Sequence, residues 1–249
     1  MVGGLQVDLV EQIASSQSDQ AWFDPDRVLQ TYSTGPRDDR LVVKNTDVRP
    51  LNSICRLTEP SGLVATATAI GGRFLLTAAH NLISTGGASI WTAAPAYNRK
   101  HLYGPIAVNQ EIAHPRWRAD ADPRFDVGLL VLASDAPHAI SLSSWSDGDG
   151  DDRIYVSGYG ASRPEVQKFH SGAFGAVAGN LVAHTCDTEG GQSGAPVLAY
   201  GTGRTRLIAV HAYGYQDLSA ELPGPFNKAV RITPEIHAWV REQMAREDK

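Results

Sequence analysis

Residues 187–197 read Asp-Thr-Glu-Gly-Gly-Gln-Ser-Gly-Ala-Pro-Val. A serine sits in a glycine-rich turn that opens onto an apolar run. Gly191 and Gly194 flank Ser193, where a tight turn needs residues without a Cβ. Such a turn leaves backbone N–H groups uncovered, and those of Gly191 and Ser193 are the expected donors to a developing oxyanion. Two stretches upstream stand apart in the same way. Residues 75–80, Leu-Leu-Thr-Ala-Ala-His, form an apolar strand ending in small residues and a histidine. Residues 124–132, Arg-Phe-Asp-Val-Gly-Leu-Leu-Val-Leu, place an acid at the head of a continuous apolar strand. Taken singly, His80, Asp126 and Ser193 are equally well a core histidine, a strand cap and a turn serine. Together they are what acyl transfer by serine needs: a hydroxyl, an imidazole to take its proton, and a carboxylate to fix the tautomer. Their order is histidine, acid, serine, with separations of 46 and 67 residues.

The rest of the chain sets the scaffold. At 249 residues, 42% hydrophobic and 20% charged, it has enough apolar content to fold and too little charge for disorder. No stretch approaches the ~18 apolar residues of a membrane span. A net charge of −5 gives no reason to seek nucleic acid or anionic lipid. From about Leu41 onward, short β-like runs alternate with turn residues: SICRLT, LVATATAI, RFLLTAA, ASIWTA, DVGLLVL, RIYVSGY, APVLAY, RLIAVHAY and KAVRI. This is an all-β pattern of sandwich or barrel type.

One helix is expected, over residues 234–244. Thr233 is its N-cap, Pro234 its first residue and Glu235 its acidic first turn; Ile236, Trp239, Val240 and Met244 form its apolar stripe. Trp239 reads as an anchor against a barrel. Residues 1–40 differ from the remainder of the chain. Val7, Leu9, Val10 and Ile13 outline a short amphipathic helix, and turn residues then break regular structure. The segment reads as an arm or pro-segment, with the main domain over 41–249.

No metal or cofactor is expected. The eight histidines are scattered without HxH or HExxH spacing. The acidic run 147–152 lacks the glycine and the terminal glutamate of a calcium loop. His114, before Pro115 and near Trp117, reads as structural. Cys55 and Cys186 read as two buried thiols, with a single bridge left open. No cationic, apolar secretory signal is visible at the start.

These motifs resemble the chymotrypsin-fold serine peptidases over roughly residues 41–243. The resemblance implies two perpendicular six-stranded antiparallel β-barrels, with the triad between them and a C-terminal helix. An α/β-hydrolase elbow fits less well, because GxSxG is absent and the acid and histidine precede the serine. Within the fold, residues 45–54 (NTDVRPLNSI), 156–160 (VSGYG) and 187–193 resemble the bacterial glutamyl endopeptidases of staphylococcal type. That resemblance implies an endopeptidase acting on polypeptides after Glu or Asp, with His211 and Thr188 as carboxylate donors. A protonated His211 would give an acid-side pH sensitivity near 6.5.

Asp187 supports a rival, a trypsin-like Lys/Arg cleaver. A second rival is an inactive binding module on the same fold. Ala212 and Gly214 would present backbone to an extended substrate. In trypsin-type zymogens the residue before the serine is Asp, which pairs with a freshly cut terminal amine. Gln192 has no charge to offer, so that switch should be absent. By resemblance, maturation would fall near Ser33, making 1–32 a removable segment. The family suggests secretion and the missing signal a cytoplasmic protein; a monomer is expected.

Overall fold

The computed structural model describes residues 31–32, 38–82, 89–146, 153–201, 204–217 and 221–247. The proposed helix around residues 7–13, the maturation point near Ser33 and the acidic run 147–152 lie outside the described residues.

The first barrel is closed by six antiparallel strands in the order β3 (Ile54–Thr58), β4 (Val64–Gly71), β5 (Phe74–Thr77), β8 (Gly128–Leu132), β7 (Ile106–Ala113) and β6 (Thr92–Pro95). Strands β5 and β8 read as unbroken apolar runs because both of their faces are covered. Leu57, Ala65, Ala67, Leu75, Leu130 and Leu132 point into the barrel with Trp91. The alternate residues Ile54, Phe74, Leu76, Leu129 and Val131 join a larger core shared with the rest of the molecule. Small residues on β4 leave room for the Trp91 ring.

The second barrel is closed by β9 (Arg153–Tyr159), β10 (Gln167–Ala178), β11 (Leu181–His184), β15 (Asn227–Arg231), β14 (Arg204–Tyr213) and β13 (Pro196–Gly201). The β10–β11 pairing completes the ring. Ile154, Val156, Val182, Val197 and Ala209 fill its interior, while Tyr155, Leu198 and Val210 turn toward the shared core. A short β2 (Leu41–Val42) pairs with the edge of β10. Two further pieces, β1 (Thr31–Tyr32) and β12 (Thr188–Glu189), pair with each other. Thus the expected two-barrel fold is observed.

Helix α1 (Pro115–Asp120) is a single short turn capped by the His114 ring, and α2 (Pro234–Glu247) closes the chain. The Ile236 N–H donates to Thr233 Oγ1 at 3.4 Å, the expected cap. Ile236, Trp239 and Val240 are buried in the shared core and Met244 packs against it. His114 is buried, stacked on Phe125 at 4.7 Å and edge-on to Trp239 at 4.9 Å. Burial, its largest influence, lowers its pKa, in line with a structural histidine. Cys55 and Cys186 are both free and buried.

Candidate active site

Two short turns on the first barrel bring the acid and the base together. Strand β5 ends at Thr77 and runs into a 3-10 turn, Ala79–Asn81, that carries His80. A second 3-10 turn, Pro123–Phe125, is capped by Asp122 and delivers Asp126 just before β8. Asp126 is fully buried. Its Oδ1 accepts the His80 backbone N–H at 2.8 Å, and its Oδ2 lies 2.6 Å from His80 Nδ1. Two bonds from one carboxylate fix both the ring orientation and the protonated Nδ1 tautomer.

Tyr213, at the end of β14, stands 5.9 Å from His80 by ring centroids. Burial first, and then the charge and hydrogen bonding of Asp126, raise its phenol above the usual range. The phenol therefore keeps its proton and adds a third polar neighbour for the carboxylate.

The serine turn comes from the second barrel and is tied to the first by three residues. Thr66 N–H and Asn81 Nδ2 both donate to the Ser193 carbonyl, at 3.1 and 2.9 Å. Thr66 Oγ1 donates to the Gly191 carbonyl at 3.0 Å and accepts the Tyr159 N–H at 2.9 Å. Thr77 Oγ1 donates to the Thr66 carbonyl and accepts from Asn81. Because Asn81 follows His80 directly, one short turn holds the imidazole and grips the serine's backbone.

Gly191 and Gly194 adopt φ of +93° and +87°. A Cβ at Gly191 would press on three backbone atoms, and one at Gly194 would collide with the Thr66 carbonyl. Only glycine satisfies both the conformation and the space. The N–H groups of Gln192, Gly194 and Ala195 are used inside the protein. Among the described residues, those of Gly191 and Ser193 donate to no protein acceptor. Likewise, among the described residues, Ser193 Oγ makes no hydrogen bond to the imidazole, a contact often loose before substrate arrives.

Of the residues expected to receive a substrate carboxylate, His211 belongs to a buried histidine pair. His211 and His184 are almost fully buried, with His184 Nε2 3.1 Å from His211 Nδ1. Burial pushes His184 down to about 3 and His211 well below 6.5; neighbouring positive groups add to both shifts. The expected titration of His211 near 6.5 is therefore not found, because the ring is desolvated and stays neutral. Thr188 is buried with its hydroxyl unpartnered.

Asp187 is also buried. Its Oδ2 accepts the Asp39 N–H at 3.1 Å, and its own N–H donates to His170 Nδ1 at 2.7 Å. Ala212 falls at the irregularity between His211 and Tyr213 in the β14–β15 pairing. Gly214 is already engaged: its N–H donates to Asp217 Oδ2 at 3.0 Å, and its carbonyl accepts Lys228 Nζ at 3.4 Å. A substrate strand pairing there must displace Asp217. Sequence reasoning does not single out Thr66, Asn81, Tyr213, Lys228 or Arg40. Among the described residues no cluster of metal-ligating side chains occurs.

Two closed six-stranded barrels with a C-terminal helix, and a histidine–aspartate pair facing a serine turn across them, define the chymotrypsin-fold serine peptidase class. Residues 61–210 match the trypsin-like peptidase domain, and the chain belongs to that family. It is similar to a glutamyl endopeptidase of Bacillus licheniformis, 27% identical over 212 residues, covering 80% of this chain. The match spans 65% of that relative's length, just under two thirds. A solved structure of a Glu endopeptidase in complex with MPD superposes with a TM-score of 0.73 at 23% identity. It covers 84% of this chain and 98% of the other, a likeness of fold.

Proposed function

We propose that the protein is an endopeptidase that cleaves after Glu through an acyl-enzyme. The observation that carries the chemistry is Asp126 bonded twice to His80 while Asn81, the next residue, grips the Ser193 carbonyl. With Nδ1–H directed at Asp126, His80 Nε2 is left bare to take the Ser193 proton as Oγ attacks the scissile carbonyl. The N–H groups of Gly191 and Ser193 receive the oxyanion. His80 then protonates the leaving amine, and a water deprotonated by the same ring releases the acid product.

Specificity rests on the neutral histidine pair. If His184 Nε2–H donates to His211 Nδ1, then His211 must carry its proton on Nε2, the one remaining donor it can offer a ligand. The opposite direction would leave His211 without a donor. The unpartnered Thr188 hydroxyl supplies a second group suited to a carboxylate. Lys228 adds positive charge: it is buried, and it is among the groups lowering His184. The Lys/Arg reading loses support because the Asp187 carboxylate is buried and already holds the Asp39 amide. We place the peptidase domain at 41–249, with residues 1–40 as an N-terminal arm or pro-segment.

Ser193→Ala should abolish both hydrolysis and labelling by a fluorophosphonate while leaving the circular dichroism unchanged. Undiminished turnover would reject the mechanism. Profiling a mixed peptide library should show cleavage after Glu, and His211→Ala should erase that preference by about 100-fold or more, the scale expected when a buried polar recognition group is lost. An unchanged Glu preference in that variant would reject the pocket.

A further inference from the structure

Arg40 lies far from the serine in sequence, and its guanidinium is completely enclosed, with 0% of the side chain exposed. Its Nε and Nη2 make a forked pair with Asp38, at 2.7 and 2.6 Å. The remaining edge reaches across the molecule. Nη1 is 2.7 Å from Gln192 Oε1, on the residue immediately before Ser193, and 2.7 Å from Glu189 Oε1. Gln192 Oε1 also accepts the Glu189 backbone N–H at 3.0 Å, so one amide oxygen ties the cation to the turn.

The network closes on itself. Glu189 Oε1 pairs with Lys168 Nζ at 2.8 Å, which donates to Ser162 Oγ at 2.8 Å. Glu189 Oε2 accepts the Ser162 N–H at 3.1 Å. Two carboxylates and two cations balance, which is the condition for keeping such charges out of water. A side chain at Gly160 would collide with the Glu189 carboxylate, so the chain is cut to fit this network. Asp39 meanwhile bonds Asp187. Residues 38–40 are therefore fastened to 187, 189 and 192, the segment that leads directly into Ser193.

We propose that Arg40 is the positioning residue that builds the nucleophile turn and the pocket wall, a fixed internal cation in the role that a freshly cut terminal amine plays in trypsin-type activation. The proposal rests on Ser193 being the nucleophile for its catalytic consequence, but not for its structural one. A guanidinium suits the task because it presents a rigid fork and keeps its charge at every physiological pH. Chain cleavage upstream of residue 38 is then unnecessary for a formed site. Separating residue 40 from the barrel would dismantle it.

The test compares the full chain with Arg40→Ala, Arg40→Lys and Gln192→Leu. Amide hydrogen exchange is read over residues 187–195 and over the first barrel, residues 54–77. Arg40→Ala is expected to speed exchange in 187–195 by about tenfold or more and leave 54–77 unchanged. On a Glu-containing substrate it should lower kcat and raise KM together, with kcat/KM down about 100-fold, the scale of a lost oxyanion donor. Arg40→Lys should recover part of the loss, since it returns the charge without the fork. Gln192→Leu, which keeps the Asp38–Arg40–Glu189 pairing and so the fold, should loosen the same segment.

Exchange over 187–195 as slow as the parent's, in Arg40→Ala or in Gln192→Leu if the first does not fold, would overturn the proposal. A parent that hydrolyses nothing and takes no fluorophosphonate label would instead sink the Ser193 reading. The exchange comparison would still decide the role of Arg40.

Discussion

The His80–Asp126 pair does two jobs with one carboxylate, and they separate under substitution. In Asp126→Asn the side chain keeps its shape, but its amide can donate to the ring and favour the wrong tautomer. Turnover should fall by about 10⁴-fold with the circular dichroism and melting curve nearly intact; a loss below tenfold would mean that His80 does not depend on Asp126 for its proton. His184 and His211 make a different statement, about stability. Both are held neutral in the native state, whereas the unfolded chain titrates them near 6.5. Below that value the unfolded state binds protons that the native state refuses, so stability falls as pH drops from about 6.5 toward 3. From pH 7 to pH 5 the His184 ring should cost about 2 kcal/mol, and His211 acts in the same direction. Urea unfolding at the two pH values measures it, and His184→Phe should flatten part of the slope.

Individual elements differ in how openly the sequence announces them, and burial explains the difference. Strands β5 and β8 are covered on both faces, so their runs Phe-Leu-Leu-Thr and Gly-Leu-Leu-Val-Leu are plain. Strand β10 is buried only at its start, and beyond it carries His, Ser, Gly and Ala with no alternation to read. Strand β7 likewise exposes Asn109 and Gln110, and its pairing with β8 is irregular between Val108 and Gln110.

Helix α2 is legible because a capping threonine, a first-turn proline and a 3–4 stripe coincide. Thr233→Ala should cost about 1 kcal/mol and Trp239→Ala about 3–5 kcal/mol in equilibrium unfolding, the first through a cap and the second through a cavity. Equal costs would mean that the helix docks without using its indole.

At the scale of the molecule, the triad motifs can be read because their chemistry is unusual for their surroundings. The parts that hold them together cannot. Thr66 looks like any strand threonine until a turn 125 residues away places Gly191 and Ser193 beside it. Arg40 sits in a charged, aperiodic stretch, and its partner Gln192 is 152 residues distant. Gln192 taken by itself shows only a lack of charge, which says nothing about the cation that reaches it. The cysteines give a simple check on the whole fold. Both thiols are wholly enclosed, and burial raises their pKa, Cys55 to about 12. Native protein should therefore resist an aromatic disulfide reagent, and unfolded protein should react twice. Reductant should leave the melting temperature unchanged; a fall would reveal a bridge.

The division of labour between barrels also bears on the history of each molecule. The imidazole and its acid belong to the half made first, while the alcohol trails Asp126 by 67 residues. At ~5–20 residues per second that interval is several seconds of translation. A nascent chain carries the base without anything to activate, and later the alcohol without strands β13 to β15 behind it. The imidazole and the alcohol can meet only once strands β13 to β15 have followed the serine turn, so the site takes shape only when both barrels have been made.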